Sequence, residues 1–250
     1  MYKAEDYLPQ KLEGKKILIS GGTTGIGRAT AILLATLGAE IMLFGRHQKE
    51  LDDTLEDISK IENASVFGII ADQSTKEGSQ KIFEAVDTKL GGLDILINNA
   101  AIAYQSVVEG SFDDLQYALN SNLMGYLACT NEAVKRMKEK GGHIVNIGSM
   151  SAESNEKGSS VYVATKAGIR GFSASLRKEL NPMGIKVSLV EPGAVATDMQ
   201  GNDAEKLQKK VDANEMLQSE DIAVSIVYCL SQPKRCDVVT LQIRPHLQEI

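Results

Sequence analysis

The segment KILISGGTTGIGRATAILLATLG, residues 16–38, decides the fold. It begins with an apolar run of strand length, passes through a glycine-rich turn, and continues with apolar residues at helical spacing until Gly38. A strand that leads through a tight turn into a helix is the repeating element of proteins in which a parallel sheet is covered by helices. The segment therefore predicts an α/β fold.

The same alternation continues along the rest of the chain. Short apolar runs recur between stretches with helical periodicity. Besides 16–20, the predicted strands are 40–44, 65–70, 93–97, 143–147, 185–190 and 237–243. Strands that alternate with longer helices indicate a doubly wound, seven-stranded parallel sheet with helices on both faces.

After the first helix, helical patterns cover residues 48–60, 74–90 and 111–138. Ser111 and Asp114 form a capping box at the start of the longest pattern. Inside this pattern, Asn120, Asn122 and Gly125 are poor helix formers, so we expect a local distortion there. Residues 194–218 are polar and lack clear periodicity, and we interpret them as a mobile flap with short helices.

Composition narrows the class of protein. With 250 residues, of which 43% are hydrophobic, the chain can bury a full core, and we expect one domain over residues 1–250. The net charge of -6 argues against a nucleic-acid or anionic-membrane partner. The 3 cysteines have no paired spacing, so neither a disulfide framework nor a metal site is predicted. Because no apolar run approaches about 18 residues, we expect a cytoplasmic protein.

A candidate acid/base pair lies in the helical stretch VYVATKAGIRGFSASL. Tyr162 and Lys166 are four residues apart, so their side chains share one face of the helix. A phenol ordinarily loses its proton near pH ~10, and a neighbouring ammonium lowers that pKa. Ser149, just after a predicted strand, could hydrogen-bond an oxygen whose charge changes during a reaction. The three side chains predict proton transfer, although the same Tyr/Lys spacing also occurs on exposed helices without a chemical role.

The glycine-rich turn is a candidate dinucleotide site. Gly21, Gly25 and Gly27 form a GxxxGxG pattern between the first strand and the first helix. Glycine lets the backbone approach a pyrophosphate, and the helix N-terminus offers unpaired N–H groups and positive potential. A purely structural turn would look the same in isolation. The sequence has no GxxxxGK[ST] phosphate loop, which argues against phosphoryl transfer.

The end of the second predicted strand bears on the choice of dinucleotide. An acidic residue there would hold the ribose hydroxyls of NAD and repel a 2'-phosphate. The segment FGRH (44–47) contains no acid, and Arg46 offers a guanidinium. We therefore favour NADP(H). NAD(H) is the alternative if Arg46 is only a solvated loop cation.

Six motifs, in order and in register, resemble the short-chain dehydrogenase/reductase family. They are SGGTTGIG (20–27), NNAA (98–101), Asn122, Ser149, YVATK (162–166) and PGAVAT (192–197). The match runs over nearly the whole chain from Lys15 onward. Membership implies a seven-stranded Rossmann fold and hydride transfer between a nicotinamide and an alcohol or carbonyl. Ser20 replaces the usual threonine and Ala101 the more usual glycine, and neither change removes a group that this chemistry needs.

The resemblance also implies roles for individual residues. Tyr162 would be the acid/base, and Lys166 would lower its pKa and hold the nicotinamide ribose. Ser149 would orient the substrate oxygen, Asn122 would anchor a proton-relay water, and Asp72 would face the adenine. The other implied cofactor residues are Gly21, Thr23, Thr24, Gly25, Ile26, Gly27, Arg46, His47, Asn98, Asn99, Ala100, Pro192, Gly193, Val195 and Thr197.

The substrate is specified only as a small alcohol or carbonyl of the 3-hydroxy acid, 3-oxoacyl or ketone type. The ending VVTLQIRPHLQEI, with its R-P-x-x-Q pattern, is similar to the branch with 3-hydroxy acid, serine and clavulanate-type dehydrogenases. Two other functions stay open: a catalytically idle NAD(P)-binding sensor and a sugar-nucleotide epimerase or dehydratase. Family habit implies a homodimer or homotetramer built on the two long helices.

Overall fold

The computed structural model describes residues 9–201 and 203–248. Its strands are β1 (Lys16–Ser20), β2 (Glu40–Gly45), β3 (Ser65–Ile70), β4 (Ile95–Asn98), β5 (Gly142–Ile147), β6 (Ile185–Pro192) and β7 (Thr240–Ile243). All pairings are parallel, and the order across the sheet is β3-β2-β1-β4-β5-β6-β7. The chain changes direction across the sheet between β1 and β4. At such a switch point the carboxyl ends of the strands border a crevice in which ligands bind.

Helices cover both faces of this sheet. Within the described residues they are α1 (Gly25–Thr36), α2 (Gln48–Ser59), α3 (Lys76–Ala85), α4 (Phe112–Leu119), α5 (Gly125–Met137), α6 (Ser151–Ser154), α7 (Ser160–Leu180), α8 (Ala204–Asp212) and α9 (Ser219–Leu230). One face packs against α1, α2 and α9, and the other packs against α3, α5 and α7. This arrangement confirms the predicted doubly wound α/β fold.

The central strands of the sheet are buried on both sides. In β1, Ile17 and Ile19 pack on the α1 side and Leu18 packs on the α3 side, and all three are 0% exposed. Successive side chains of a strand point to opposite faces, so a continuous apolar run is what this position in the sheet requires. Burial of each such side chain contributes about 1.5–3 kcal/mol. The sheet is therefore a stable base for the loops at its carboxyl edge.

Two strands begin later than predicted. β4 begins at Ile95 rather than at Leu93, because Gly91 has a positive φ of 63° and the chain is still turning after it. β7 begins at Thr240, because its ladder with β6 runs from Thr240 to Ile243. In both cases apolar residues precede the segment that finds a hydrogen-bonded neighbour. Periodicity alone does not reveal where pairing starts.

The distortion predicted inside the long third helical pattern is present. The pattern begins with the capping box, in which Asp114 N donates to Ser111 Oγ at 3.2 Å and Ser111 N donates to Asp114 Oδ2 at 2.8 Å. Between α4 and α5 the chain forms a π-helical turn, Asn120–Met124. Such turns interrupt the regular bonding of a helix and are frequent at functional sites. Within this one, Asn122 is 0% exposed.

Two other helical segments differ from the prediction. The helix predicted at 74–90 begins at Lys76, capped by the Thr75 hydroxyl, and its last part, Val86–Leu90, is π-helical. The helix α9 was not predicted at all. It packs on α1 through Ile222 and Ile226, both 0% exposed. Apolar residues also occupy its outer face, which weakens the periodicity of the sequence.

The segment predicted to be a flap, 194–218, contains a 3-10 turn, Asp198–Gln200, and the helix α8, while residue 202 lies outside the described residues. Its two ends are tied together. Leu217 N donates to Ala194 O at 2.9 Å, and Ala196 N donates to Leu217 O at 2.8 Å. Every residue of α8 is exposed or half-buried. That the segment moves stays a prediction.

Candidate active site

The glycine-rich turn joins β1 to α1 where several backbone segments meet. A Cβ atom on Gly21 would lie 2.8 Å from the Cα atom of Ala100, and one on Gly27 would lie 2.0 Å from the carbonyl oxygen of Gly21. Gly21 and Gly25 have positive φ angles of 61° and 49°, a region that favours glycine. The N-cap Thr24 makes no side-chain capping bond, and the first turn of α1 has no acidic residue. The first N–H groups of α1 are therefore available to an anion and fit a pyrophosphate.

Two neighbouring cavities lie along the crevice. The first, which we name the Arg46 cavity, has a volume of about 190 Å³ and is lined by residues that follow β1, β2, β3 and β4. The second, the Tyr162 cavity, has a volume of about 360 Å³ and is lined mainly by α7 and by residues that follow β4, β5 and β6. Both cavities are lined by Ile26, Asn99, Ala101, Thr197 and Met199. The two cavities are thus parts of one elongated groove.

Most of the predicted cofactor residues line this groove. In the Arg46 cavity they are Gly21, Thr23, Thr24, Gly25, Ile26, Arg46, His47, Asp72, Asn99, Ala100 and Thr197. In the Tyr162 cavity they are Ile26, Asn99, Tyr162, Lys166, Pro192, Gly193, Val195 and Thr197. Ser149 also lines the Tyr162 cavity. Three predicted residues, Gly27, Asn98 and Asn122, line neither cavity.

Gly27 and Asn98 lie beside the groove and make structural contacts. Gly27 lets α1 pack closely against the turn. A side chain at this position would overlap the backbone of Gly21. Asn98 is 0% exposed, and its Nδ2 donates to Thr130 Oγ1 at 3.1 Å and to Asn146 Oδ1 at 2.9 Å. As the last residue of β4, Asn98 directs its side chain toward α5 and the neighbouring strand. Its side chain joins β4 to β5 and α5, and the predicted contact of Asn98 with the cofactor stays a prediction.

Arg46 belongs to a chain of hydrogen bonds that was not predicted. Its Nη1 donates to the Tyr117 hydroxyl, and that hydroxyl donates to Asp72 Oδ2 at 2.8 Å. The other carboxylate oxygen of Asp72 accepts from Ser74 N at 2.9 Å. Burial raises the pKa of Asp72, but these hydrogen bonds and the charge of Arg46 hold it below its ordinary value, so the carboxylate stays ionised at neutral pH. Tyr117 lies 71 residues from Arg46, and no local motif signals the contact.

Ser149, Tyr162 and Lys166 come together in the Tyr162 cavity. The Nζ atom of Lys166 lies 5.7 Å from the ring centroid of Tyr162 on the same face of α7. Lys166 is 2% exposed, and its Nζ donates to the carbonyl oxygen of Ile147 at 2.9 Å, which ties α7 to the end of β5. Ser149 follows β5, is 8% exposed, and accepts a hydrogen bond from Ser151 N at 3.1 Å. The structure thus brings the three side chains to one site.

In this arrangement the pKa of Tyr162 is raised above its ordinary value, and that Lys166 lowers it during the reaction stays a prediction. Burial raises the pKa of the Tyr162 phenol above 10.0, a hydrogen bond with Ser149 acts against this, and the carboxylate of Glu156 raises it further. Burial also lowers the pKa of Lys166 to about 8. Both groups lose hydration in the same buried place, and this loss disfavours the charged form of each.

Asn122 clamps the segment that follows β4. Its Oδ1 accepts from Ile102 N at 2.8 Å, and its Nδ2 donates to Ile102 O at 2.9 Å. Ile102 lines the Arg46 cavity, so this pair of bonds holds part of the groove wall in place. The side-chain amide of Asn122 is engaged in these two bonds. A water molecule at this residue would therefore compete for the amide or use the main chain.

Two other long-range contacts were not predicted either. The Oε1 atom of Gln248, a lining residue of the Tyr162 cavity, accepts from Ala194 N at 3.0 Å. Arg170 on α7 donates to both carboxylate oxygens of Glu191 at 2.8 and 2.9 Å, and Glu191 is 0% exposed. This pair joins α7 to the end of β6. The R-P-x-x-Q pattern marks Gln248 in the sequence, whereas nothing local signals the Arg170–Glu191 pair.

Other features of the described residues bear on partners. No helix in the described ranges combines the length and the apolar character that crossing a membrane requires. Among the same residues, no group of three or more His, Cys, Asp and Glu side chains could hold a metal ion. Cys129 and Cys229 are buried, Cys236 is exposed, and all three thiols are free.

Known proteins are similar to this chain in sequence and in architecture. Residues 15–208 match the family model described as short chain dehydrogenase. An uncharacterized oxidoreductase of Staphylococcus saprophyticus is 31% identical over 237 residues, which are 94% of this chain and 99% of the relative. Carbonyl reductase family member 4 of Danio rerio is 33% identical over 218 residues, 86% of this chain and 91% of the relative.

A solved structure gives the same picture. The crystal structure of a short chain dehydrogenase from Burkholderia cenocepacia in complex with NADP is 28% identical and has a TM-score of 0.83, with 94% of this chain and 98% of that chain covered. The family match extends from the residue before β1 into α8 and includes the glycine-rich turn and the Tyr/Lys helix. On these grounds the chain belongs to the short-chain dehydrogenase family of oxidoreductases.

Proposed function

We propose that the protein is an NADP(H)-dependent oxidoreductase that transfers hydride between the nicotinamide and a small alcohol or carbonyl substrate. The observation that carries this proposal is the continuity of the groove: the cavity that contains Tyr162 shares lining residues with the cavity at the glycine-rich turn. A dinucleotide with its pyrophosphate at the N-terminus of α1 can therefore extend into both. Its reactive end and the proton-transferring side chain would share one site, as hydride transfer requires.

Tyr162 is the residue to which we assign proton transfer. The bound nicotinamide supplies or accepts the hydride. In reduction Tyr162 donates its phenolic proton to the substrate oxygen, which the Ser149 hydroxyl holds by a hydrogen bond, and in oxidation Tyr162 takes the proton back. Because burial raises the pKa of Tyr162, the neutral phenol predominates at pH 7. The neutral phenol is the form that donates the proton in reduction, and the phenolate is the form that accepts it in oxidation.

Lys166 and Asn122 support this site in different ways. An ammonium group has three donor hydrogens, and Nζ of Lys166 uses one of them on the Ile147 carbonyl. We assign the others to the hydroxyls of the nicotinamide ribose, where the positive charge also favours the phenolate of Tyr162 in oxidation. We assign to Asn122 the proton-relay water. Its side chain is bonded to Ile102, so the main-chain carbonyl is the group that would hold this water.

The preference for NADP(H) over NAD(H) rests on Arg46. The end of β2 carries no carboxylate that would hold the ribose hydroxyls of NAD, while Arg46 lines the cavity beside it. A guanidinium binds a phosphate through charge-assisted hydrogen bonds. The Burkholderia cenocepacia relative, with the same fold, was crystallised with NADP. We propose that Thr23, Thr24, His47, Asn99 and Ala100 complete this end of the cofactor site.

The lining of the Tyr162 cavity narrows the substrate class. Its charged side chains, among the described residues, are Glu156 and Lys166, and Lys166 is 2% exposed. A substrate carboxylate would meet Glu156 without an exposed cation beside it. Apolar side chains, including Met150, Val195 and Met199, line other parts of the cavity. We therefore favour a neutral ketone and its alcohol over a 3-hydroxy acid, and the Danio rerio relative is named a carbonyl reductase.

The assembly and the location are part of the same proposal. We propose one domain over residues 1–250, because all described strands belong to one sheet. We also propose a homodimer or homotetramer. Phe112, Leu119 and Met124 are 76%, 44% and 55% exposed on the α4 side, where a second copy would cover them. The cytoplasmic location rests on composition alone.

A screen of ketones, 3-hydroxy acids and quinones with NADPH and with NADH tests the proposal. We expect oxidation of NADPH with neutral ketones, at a higher kcat/KM than with NADH. Binding of NADPH without turnover on the whole panel would identify the protein as a sensor instead. Firmly bound cofactor in the purified protein, together with conversion of a sugar nucleotide, would favour an epimerase or dehydratase.

A further inference from the structure

We propose that Tyr117 is a positioning residue that sets the preference for NADP(H) by holding Arg46 at the rim of the Arg46 cavity. The inference rests on the proposed function, in which Arg46 takes the 2'-phosphate. It extends that function to a residue that does not line the cavity. The feature that carries it is the chain Arg46–Tyr117–Asp72, in which a guanidinium, a phenol and a carboxylate are joined by hydrogen bonds.

Tyr117 holds Arg46 through two kinds of contact. The Arg46 guanidinium donates from Nη1 to the hydroxyl of Tyr117, and its central carbon lies 5.8 Å from the centroid of the Tyr117 ring. That distance is within the range of a cation–π interaction. Arg46 is exposed, and an unrestrained arginine side chain carries about 2 kcal/mol of rotamer entropy. Fixing it in advance reduces the cost of binding a phosphate.

The hydroxyl of Tyr117 also stands between two opposite charges. It accepts from Arg46 and donates to Asp72 Oδ2 at 2.8 Å. The charge of Arg46 contributes to the low pKa of Asp72, so the two groups are close enough to interact. If they met directly, the ion pair would cancel much of the positive potential that attracts a phosphate. The hydroxyl keeps Asp72 satisfied while the guanidinium retains donors for a ligand.

The position of Tyr117 in the fold suits this role. It lies in α4, whose start is fixed by the Ser111–Asp114 capping box and whose end joins the π-helical turn Asn120–Met124. Tyr117 is half-buried, and a tyrosine side chain has two rotatable angles, so little entropy is lost when it is held. The ends of β2 and β3 supply Arg46 and Asp72. Three elements therefore meet at one rigid hydroxyl group.

The test compares the dissociation constants of NADPH, NADH and adenosine 2',5'-bisphosphate by calorimetry. Tyr117→Phe removes the hydroxyl and keeps the ring, and Arg46→Ala removes the guanidinium. The matched control is Tyr228→Phe, which makes the same change on α9, where the tyrosine is 53% exposed. Thermal unfolding of each variant verifies that it is folded. Steady-state kinetics with both cofactors then separate KM from kcat.

We expect Tyr117→Phe to raise the dissociation constants of NADPH and of the bisphosphate about tenfold, since a hydrogen bond to a charged group is lost. The dissociation constant of NADH should change by less than about twofold. KM for NADPH should rise with kcat unchanged, and Tyr228→Phe should behave as the wild type. The inference would be overturned if Tyr117→Phe bound all three ligands with wild-type affinity while Arg46→Ala lost affinity for NADPH selectively. The proposed function would then remain intact.

Two further outcomes also count against the inference. Equal weakening of NADPH and NADH in Tyr117→Phe would assign Tyr117 to general support of the cavity. If the wild type and Arg46→Ala both bind the two dinucleotides equally well, the proposed NADP(H) preference itself fails. The role of Tyr117, which rests on that preference, then fails with it.

Discussion

The Arg46 cavity and the Tyr162 cavity belong to one groove, yet they hold their cations in opposite ways. Arg46 is exposed at the rim of the first, whereas Lys166 is 2% exposed in the second. The interactions of an exposed guanidinium are screened by salt. The buried ammonium has its pKa lowered to about 8 by burial. Binding at the open end should therefore change gradually on mutation, and chemistry at the buried end should depend sharply on single groups.

The largest effect that this comparison predicts is that of Tyr162→Phe. Without the phenolic hydroxyl, kcat for carbonyl reduction should fall by about 10²- to 10⁴-fold, since general acid catalysis contributes that much. The dissociation constant of NADPH should stay within about twofold, because the exposed end of the groove is unchanged. Steady-state kinetics and calorimetry measure the two quantities.

Tyr228→Phe serves as the control for Tyr162→Phe, since it removes a hydroxyl from an exposed position on α9. Turnover that survives in Tyr162→Phe at the wild-type rate would remove Tyr162 from the mechanism. The buried end of the groove would then have no acid/base group, and the contrast with the Arg46 cavity would disappear.

The second effect concerns the charge of Lys166 and the free energy of unfolding. The pKa of Lys166 is about 8 in the folded protein, against an ordinary value of 10.5. Between these values the unfolded chain binds the proton and the folded protein does not, so stability rises with pH across this window. Between pH 8 and pH 10.5, the free energy of unfolding of the wild type should rise by up to about 3 kcal/mol relative to that of Lys166→Met. This figure follows from the size of the shift in the Lys166 pKa.

Urea denaturation at a series of pH values measures this gain. Lys157→Met, a substitution of an exposed lysine outside the groove lining, is the control and should keep the pH dependence of the wild type. Parallel stability curves for Lys166→Met and the wild type would mean that Lys166 has an ordinary pKa. The distinction between a buried and an exposed cation would then lose its physical basis.

The third effect tests the open end. Arg46→Ala should weaken the binding of NADPH about 30-fold, because charge-assisted hydrogen bonds to one phosphate are lost. It should weaken the binding of NADH by less than about twofold. The wild-type affinity for NADPH should also decrease with salt more steeply than that of the variant, since the exposed guanidinium is screened. Calorimetry at two ionic strengths provides the measurement. An equal loss of both dinucleotides would contradict the assignment of Arg46 to the 2'-phosphate.

Features that depend on neighbours in sequence could be predicted. The strand, turn and helix at 16–38 and the capping box of Ser111 and Asp114 are each set within a few residues. The π-helical turn at Asn120–Met124 likewise follows from poor helix formers in one place. Parallel pairing then brings the ends of the strands to one edge. The assignment of the glycine-rich turn and the Tyr/Lys helix to one cofactor came from the family resemblance.

Features that depend on distant contacts could not be predicted. The bond between Arg46 and Tyr117 spans 71 residues, and α9 is recognisable only by its packing on α1. The bonds that orient the side chain of Asn98, to Thr130 and to Asn146 on a neighbouring strand, are likewise not signalled by its motif. The raised pKa of Tyr162 depends on burial, which helical spacing does not report.

The smallest effect is expected at Gln248, which closes the outer wall of the Tyr162 cavity. Its Oε1 accepts a hydrogen bond from Ala194 N at 3.0 Å. The same Oε1 atom lies so close to Gly193 that a Cβ atom on this glycine would be only 2.2 Å from it. Gln248→Ala should raise KM for the carbonyl substrate about threefold and leave kcat within about twofold, because one neutral hydrogen bond contributes about 0.5–1.5 kcal/mol.

The control for Gln248→Ala is Gln232→Ala, which removes an exposed amide that bonds the Tyr228 carbonyl at 2.8 Å. Gln232→Ala should leave both constants unchanged. A fall in kcat of more than about tenfold in Gln248→Ala would exceed the contribution of one neutral hydrogen bond. The segment that follows β6 would then help to position the reacting groups. Catalysis would in that case depend on single residues at the rim of the groove as well as at its buried end.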